Sequence, residues 1–236
     1  CPDVFEIHSS GYRRPGQLPE GAVLVVGSGN SGVQIAEELC GAGRRVFLSV
    51  SSHERIRRRY RGKDCIWWLI ATGAADATWD ARTGTKLSRL MTGVGGGYDI
   101  DLRALAAAGV VLLGRVTAVE SGRLALADDL RDHLLHGDAS LTAFEQRCDA
   151  LNDVHGWGLA PAAPFHRLRD PRELRAPWRT LDLAKEGITS VVWANGAQND
   201  FSWIDMPVFG PAPGPRRQPE HLRGVTAVRG LYFLGL

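Results

Sequence analysis

The sequence predicts an α/β fold in three layers, built on a parallel sheet buried on both faces. Three observations predict it. Ala22-Val23-Leu24-Val25-Val26 is a short, continuous apolar run, the pattern of a strand covered on both sides. It runs directly into the turn Gly27-Ser28-Gly29-Asn30-Ser31-Gly32. Behind the turn, Val33, Ile35, Ala36 and Leu39 repeat at helical spacing, Gly41 or Gly43 ends the helix, and residues 44–50 read as a second strand.

A lone Gly-x-Gly-x-x-Gly motif says little, but strand, turn, helix and second strand together make it specific. Gly27 permits the tight turn out of the strand. Gly29, without a side chain, lets a pyrophosphate approach the backbone, and Gly32 lets helix and strand pack closely. The helix start offers free N–H groups and a positive dipole end to phosphate. The expectation is a Rossmann-like dinucleotide-binding domain, with Gly27, Ser28, Gly29, Asn30, Ser31 and Gly32 against the cofactor.

The end of the second strand selects the cofactor. Sites for NAD place Asp or Glu there, on the ribose 2′-hydroxyl. Here the strand ends Ser49-Val50-Ser51-Ser52-His53, Glu54 comes late, and Arg55, Arg57, Arg58, Arg59 and Arg61 follow. A carboxylate would repel a 2′-phosphate, whereas hydroxyls and guanidinium groups bind it. The expectation is NADP(H), held through Ser51, Ser52, Arg55 and Arg58.

Further along, residues 66–71 and 102–108 read as helices and 110–113 as a buried strand. The Gly-rich stretch 92–98 reads as a loop. Residues 116–120 and 123–126 flank Ser121-Gly122 as a hairpin. Residues 130–154 read as a helix broken near Gly137, and 188–193 as a strand ending in Ala194-Asn195-Gly196. Trp67 and Trp68 read as packing residues.

Composition narrows the function classes. The chain has 236 residues, 44% hydrophobic and 23% charged, with a formal net charge of +2. No overall field demands nucleic acid or an anionic membrane. Cys1, Cys40, Cys65 and Cys148 lie far apart, without redox or zinc spacing, which reads as reduced thiols in a cytoplasmic protein. No apolar run is long enough for a bilayer. His133, His136, His155 and Cys148 lack the orienting carboxylates of a metal site, so no metal is expected. The chain opens on Cys1-Pro2 and stops within the apolar run 230–236, which reads as a piece of something longer cut at a strand.

Three segments carry a resemblance. HSSGYR at 8–13, GSGNSG at 27–32 and WANGAQNDFSW at 193–203 together resemble the flavin-containing monooxygenase group, two-dinucleotide-domain flavoproteins, over nearly the whole chain. RRYRGKD at 58–64, DIDLR at 99–103 and GLYFLGL at 230–236 resemble a bacterial, monooxygenase-like flavin oxidoreductase subgroup. The resemblance implies an FAD domain interrupted by an NADPH domain, with the family's FAD fingerprint upstream of Cys1. On that plan 1–21 is a crossing linker, 22–116 the NADPH-binding domain, 117–187 a hairpin and helical excursion, and 188–236 a partial return to the FAD domain.

The resemblance also implies the chemistry. NADPH passes hydride to FAD, the reduced flavin activates O2, and a small-molecule substrate is oxygenated. It places a functional histidine at the crossing, for which His8 is the candidate, and Ala194, Asn195 and Gly196 at the return. Two departures stand out: Pro2 and Val4 replace the usual Phe-x-Gly before the histidine, and Ala194-Asn195-Gly196-Ala197 stands where Ala-Thr-Gly-Tyr is usual. Two rival readings are a flavoprotein reductase that does not oxygenate, and a truncated, inactive dinucleotide-binding remnant. The resemblance implies that this chain alone is inactive.

Overall fold

A computed structural model describes residues 4–75, 88–197, 199–210 and 218–234. Two compact units emerge, Cys1–Asn195 and Gly196–Leu236.

In the first unit, strand β1 spans Phe5–His8 and β2 Ala22–Val26; helix α1 spans Asn30–Gly41 and β3 Val46–Ser49. Short pieces follow: β4 at His53–Arg55, β5 at Arg59–Tyr60, β6 at Lys63–Asp64, α2 at Cys65–Ala71 and β7 at Ser88–Leu90. Then come α3 at Leu102–Ala107, β8 at Val111–Leu113, β9 at Val116–Glu120 and β10 at Arg123–Leu126. The long α4 covers Leu130–His155, and β11 at Thr180–Asp182 and β12 at Ile188–Trp193 close the unit.

The central sheet has the order β1-β12-β2-β3-β8, and all of its pairings are parallel. The apolar runs now explain themselves, because each strand is covered twice. One face sends Val23, Val25, Val46, Leu48, Leu112 and Val192 into a core with Val33, Ala36 and Leu39 of α1, Leu102 and Leu105 of α3, and Leu130 and Leu134 of α4. The other face sends Ala22, Leu24, Phe47, Val111 and Leu113 against Leu124, Leu126 and Leu181. Those last residues belong to a second, antiparallel sheet of order β11-β10-β9. The three layers are therefore helices, parallel sheet and antiparallel sheet.

Segment 117–187 does not stand apart, since β9, β10 and β11 form the outer layer over the central sheet. Strands β1 and β12 both belong to the central sheet. Trp193 and Val26 are register partners, as are His8 and Trp193, so both strands are built into the sheet that carries the glycine turn. A strand as apolar as Val191-Val192 needs cover on both faces, and this sheet supplies it.

Helix α4 is not broken at Gly137. It runs without interruption and ends at Gly156 in the left-handed region, φ 60°, a common helix terminator. Gly137 serves packing instead: a Cβ there would lie 2.8 Å from His53 Nε2 and 3.1 Å from Arg55 Cδ. Close approach of β4, not a helix break, calls for glycine. A third cluster joins Tyr60, Cys65, Trp68, Phe144 and Cys148. Trp68 is fully buried there, with its indole N–H donating to the Tyr60 carbonyl at 2.9 Å.

The second unit shows no regular helix or strand among its described residues. It has isolated bridges such as Leu222 with Val225 and Val225 with Tyr232, and Phe201 meets Phe233 edge-on at 6.0 Å. The strand expected over 230–236 is reduced, in its described part, to that single bridge at Tyr232; Gly235 and Leu236 lie outside the described residues.

Candidate functional site

The sheet places the carboxyl ends of β1, β12, β2 and β3 side by side, the edge where open α/β sheets bind their ligands. His8, Trp193, Val26 and Ser49 lie in register across that edge. The glycine turn leaves β2 at this point. Gly27 has φ +108° and donates its N–H to the Ser49 carbonyl at 3.1 Å. A Cβ on Gly27 would meet the Ala194 carbonyl oxygen at 2.4 Å, so the turn is pressed against the end of β12. Gly32, one turn into α1, is buried against Gly27 itself.

Helix α1 begins uncapped. Its N-cap, Gly29, offers no side-chain hydrogen bond, and its first turn contains no acid. The N–H groups of the first turn point outward from a twelve-residue helix without an internal acceptor, as at any helix start. That is a cradle for an anion, and the residues fit a dinucleotide pyrophosphate.

Ser28 ties the turn to the next strand end. Buried Ser28 accepts from the Ser51 N–H at 3.0 Å and donates to the Ser51 carbonyl at 3.2 Å. Ser51 therefore stands beside the turn, with Ser52 next to it in the chain. Asn30 is engaged elsewhere, its Oδ1 accepting from the Met91 N–H at 2.8 Å, while Ser31 is exposed. Ala194 is buried and Asn195 exposed beside Gly27. Gly196 is the first residue of the second unit.

His8 accepts at Nδ1 from the Ser10 N–H at 3.2 Å, with Ser10 Oγ at 2.8 Å. An N–H donating to Nδ1 requires the proton on Nε2.

The arginines depart from expectation. Arg55 does not face outward toward a 2′-phosphate. It is 3% exposed and forks onto Asp138 and Asp101, both at 2.8 Å, while its Nε donates to the Ile100 carbonyl at 3.3 Å. A buried guanidinium needs such partners, and Asp101, Asp138 and the Ile100 carbonyl supply them. Arg58 is part-buried and bonded to Asp64 and to the Cys65 sulfur. Its own N–H donates to Asp99 at 2.6 Å. The late acid Glu54 is itself held by Arg89 at 2.9 Å.

Sequence reasoning missed the partners of these arginines. Asp101 and Arg103 lie within DIDLR, where Asp101 also caps α3 by accepting from the Arg103 N–H at 2.8 Å. It also missed Asp129, and weighed His133 only as a metal ligand: from the start of α4, His133 Nδ1 lies 3.2 Å from Ser52 Oγ, and Asp129 Oδ2 lies 3.2 Å from the other ring nitrogen. An Asp followed four residues later by His at a helix start was the available signal. Among the described residues, no group of His, Cys, Asp and Glu could hold a metal ion, and no helix is long and apolar enough to cross a membrane.

A parallel sheet with a glycine turn at its carboxyl edge and an uncapped helix behind it defines a Rossmann-like dinucleotide-binding domain. Residues 4–89 match the family model described as flavin-binding monooxygenase-like. The chain is 29% identical over 234 residues to an uncharacterized oxidoreductase, CzcO-like, of Geobacillus kaustophilus, covering 99% of this chain and 50% of that protein. It is 26% identical over 235 residues to the uncharacterized oxidoreductase CzcO of Bacillus subtilis, covering 99% of this chain and 51% of that one. It thus spans about half the length of the curated relatives it matches. Among solved structures, a mutant of the flavin monooxygenase from Stenotrophomonas maltophilia aligns with TM-score 0.45 and 12% identity, covering 94% of this chain and 43% of that one. The resemblance to flavin-containing monooxygenases drawn from the sequence motifs is borne out by the family match and the CzcO relatives.

Proposed function

We propose that this chain is the NADPH-binding part of an FAD-dependent, monooxygenase-like oxidoreductase. The observation that carries the reading is the turn at Gly27–Gly32. It opens onto an uncapped helix start and is pinned through Ser28 to Ser51. In this reading the first-turn N–H groups of α1 take the pyrophosphate, and Gly29 leaves room for it. Ser51 and Ser52 meet the adenosine ribose. No free carboxylate stands at that strand end to repel a 2′-phosphate, because Glu54 is neutralised by Arg89.

FAD, when bound, would supply the redox chemistry, as hydride acceptor and as the group reactive toward O2. The contribution of this chain is to bind and orient the hydride donor. Ala194 and Asn195 close one side of the turn, and His8 stands in register at the same sheet edge. The substrate of the whole protein is a small molecule, handled in the cytoplasm.

Titration calorimetry with NADPH and NADH tests the reading. NADPH binds at least about tenfold more tightly, about 1.4 kcal/mol. Equal affinities refute the assignment of the phosphorylated cofactor.

A further inference from the structure

Ser52, at the mouth of the candidate ribose site, is not a free hydroxyl. Its Oγ lies 3.2 Å from His133 Nδ1. The other ring nitrogen of His133 lies 3.2 Å from Asp129 Oδ2, in charge contact although not aligned as a hydrogen bond. The ring is largely buried, with 11% of its side chain exposed, so its surroundings govern its tautomer.

Asp129 is ionised. Burial raises its carboxyl, but the Arg115 side chain and N–H, with His133, outweigh that and hold it below the usual carboxylate range. Arg115 Nε donates to it at 2.6 Å. A carboxylate facing Nε2 favours the tautomer with the proton on Nε2, because two opposed lone pairs would repel. Nδ1 is then an acceptor, and Ser52 must donate to it. A hydroxyl has one proton. With that proton given to His133, Ser52 presents only lone pairs to a ligand.

Lone pairs distinguish the two nicotinamide dinucleotides. A ribose 2′-hydroxyl can donate to Ser52, whereas a 2′-phosphate dianion is an acceptor and cannot. We propose that His133 is a positioning residue that turns the Ser52 hydroxyl into an acceptor toward the adenosine ribose, and so draws the site toward the unphosphorylated dinucleotide. The inference rests on the reading that Ser51 and Ser52 receive the ribose. Within that reading His133 lowers the preference for NADPH without reversing it.

The test is the ratio of NADP⁺ to NAD⁺ affinity, measured on the full chain by titration calorimetry. His133→Leu frees the Ser52 proton to reach a phosphate, and the ratio rises at least about threefold, the lower range of one hydrogen bond's effect. His133→Asn places an amide oxygen near the position of Nδ1 and retains the original ratio. In a Ser52→Ala background, adding His133→Leu changes the ratio no further. A ratio that stays or falls in His133→Leu overturns the inference, as does a rise that persists without Ser52. Should His133→Leu fail to fold, Ser52→Ala alone decides: it weakens NAD⁺ more than NADP⁺, and an equal or opposite loss overturns the inference. A chain that binds neither nucleotide, or still binds after Gly29→Val, overturns the ribose-site reading itself and this inference with it.

Discussion

Gly32 sits so close to Gly27 that a Cβ built on it would come within 1.9 Å of the Gly27 carbonyl oxygen. The neighbour is backbone and cannot swing aside. It is fixed in turn by its N–H bond to Ser49 and its contact with Ala194. Gly32→Ala therefore forces α1 away from β2, and we expect a loss of at least about 2 kcal/mol, within the range for overpacking a tight site. Urea denaturation measures it; a variant as stable as the parent would show that the turn yields.

Gly29 is a different case. Its φ of −70° and ψ of −179° suit any residue, so the backbone conformation does not demand glycine there. Gly29→Val retains the parent's circular dichroism and loses dinucleotide binding, because the branched side chain occupies the place of the pyrophosphate. A folded variant that still binds would move the ligand elsewhere.

Asp138, on α4, joins three arginines from outside that helix. Its Oδ1 accepts from Arg55 at 2.8 Å and Arg103 at 2.9 Å, and its Oδ2 from Arg103 at 2.9 Å and Arg167 at 3.2 Å. The Arg103 side chain is 1% exposed. Asp138→Ala leaves buried guanidinium charge under-compensated, which typically costs about 3–5 kcal/mol. Asp101 and Asp170 retain contacts to Arg55 and Arg103, so the lower end of that range is expected in chemical denaturation.

His53 predicts a pH dependence of stability. Burial above all pushes its pKa down to about 4; the nearby charges of Arg55, His133 and His136 push the same way, and only its bond to the Ser51 carbonyl opposes them. Its Nε2 is buried without a hydrogen-bond partner, so a proton added there would be an unpaired buried charge. Between the ordinary value near 6.5 and about 4, the unfolded chain holds the proton more readily than the folded one. Stability is therefore full above about pH 6.5 and falls as pH drops toward 4, by at most about 1.4 kcal/mol per unit. His53→Asn, which can keep a donor toward Ser51, flattens that slope in unfolding curves taken across this range. An unchanged slope would assign it to other groups.

What the sequence by itself determined is local and periodic. The apolar run 22–26, the spacing of Val33, Ala36 and Leu39, and the glycines of the turn all act within one strand–turn–helix unit. Their consequences follow from residues a few positions apart. The run 188–193 was legible as a strand for the same reason, and β12 occupies those residues.

Tertiary structure decided what depends on partners distant in the chain. No local pattern tells that β12 pairs between β1 and β2, or that β9, β10 and β11 cover the second face of the sheet. A guanidinium is written the same way in the sequence whether it faces solvent or an acid. Only folding brought Asp101 and Asp138 to Arg55, turning an expected phosphate ligand into an internal brace. Gly137 reads as a helix breaker until β4 is seen lying against it. The Ser52–His133 contact spans 81 positions. Hydrogen bonds and charge depend on distance in space, and over such separations the sequence specifies that distance only through the whole packed core.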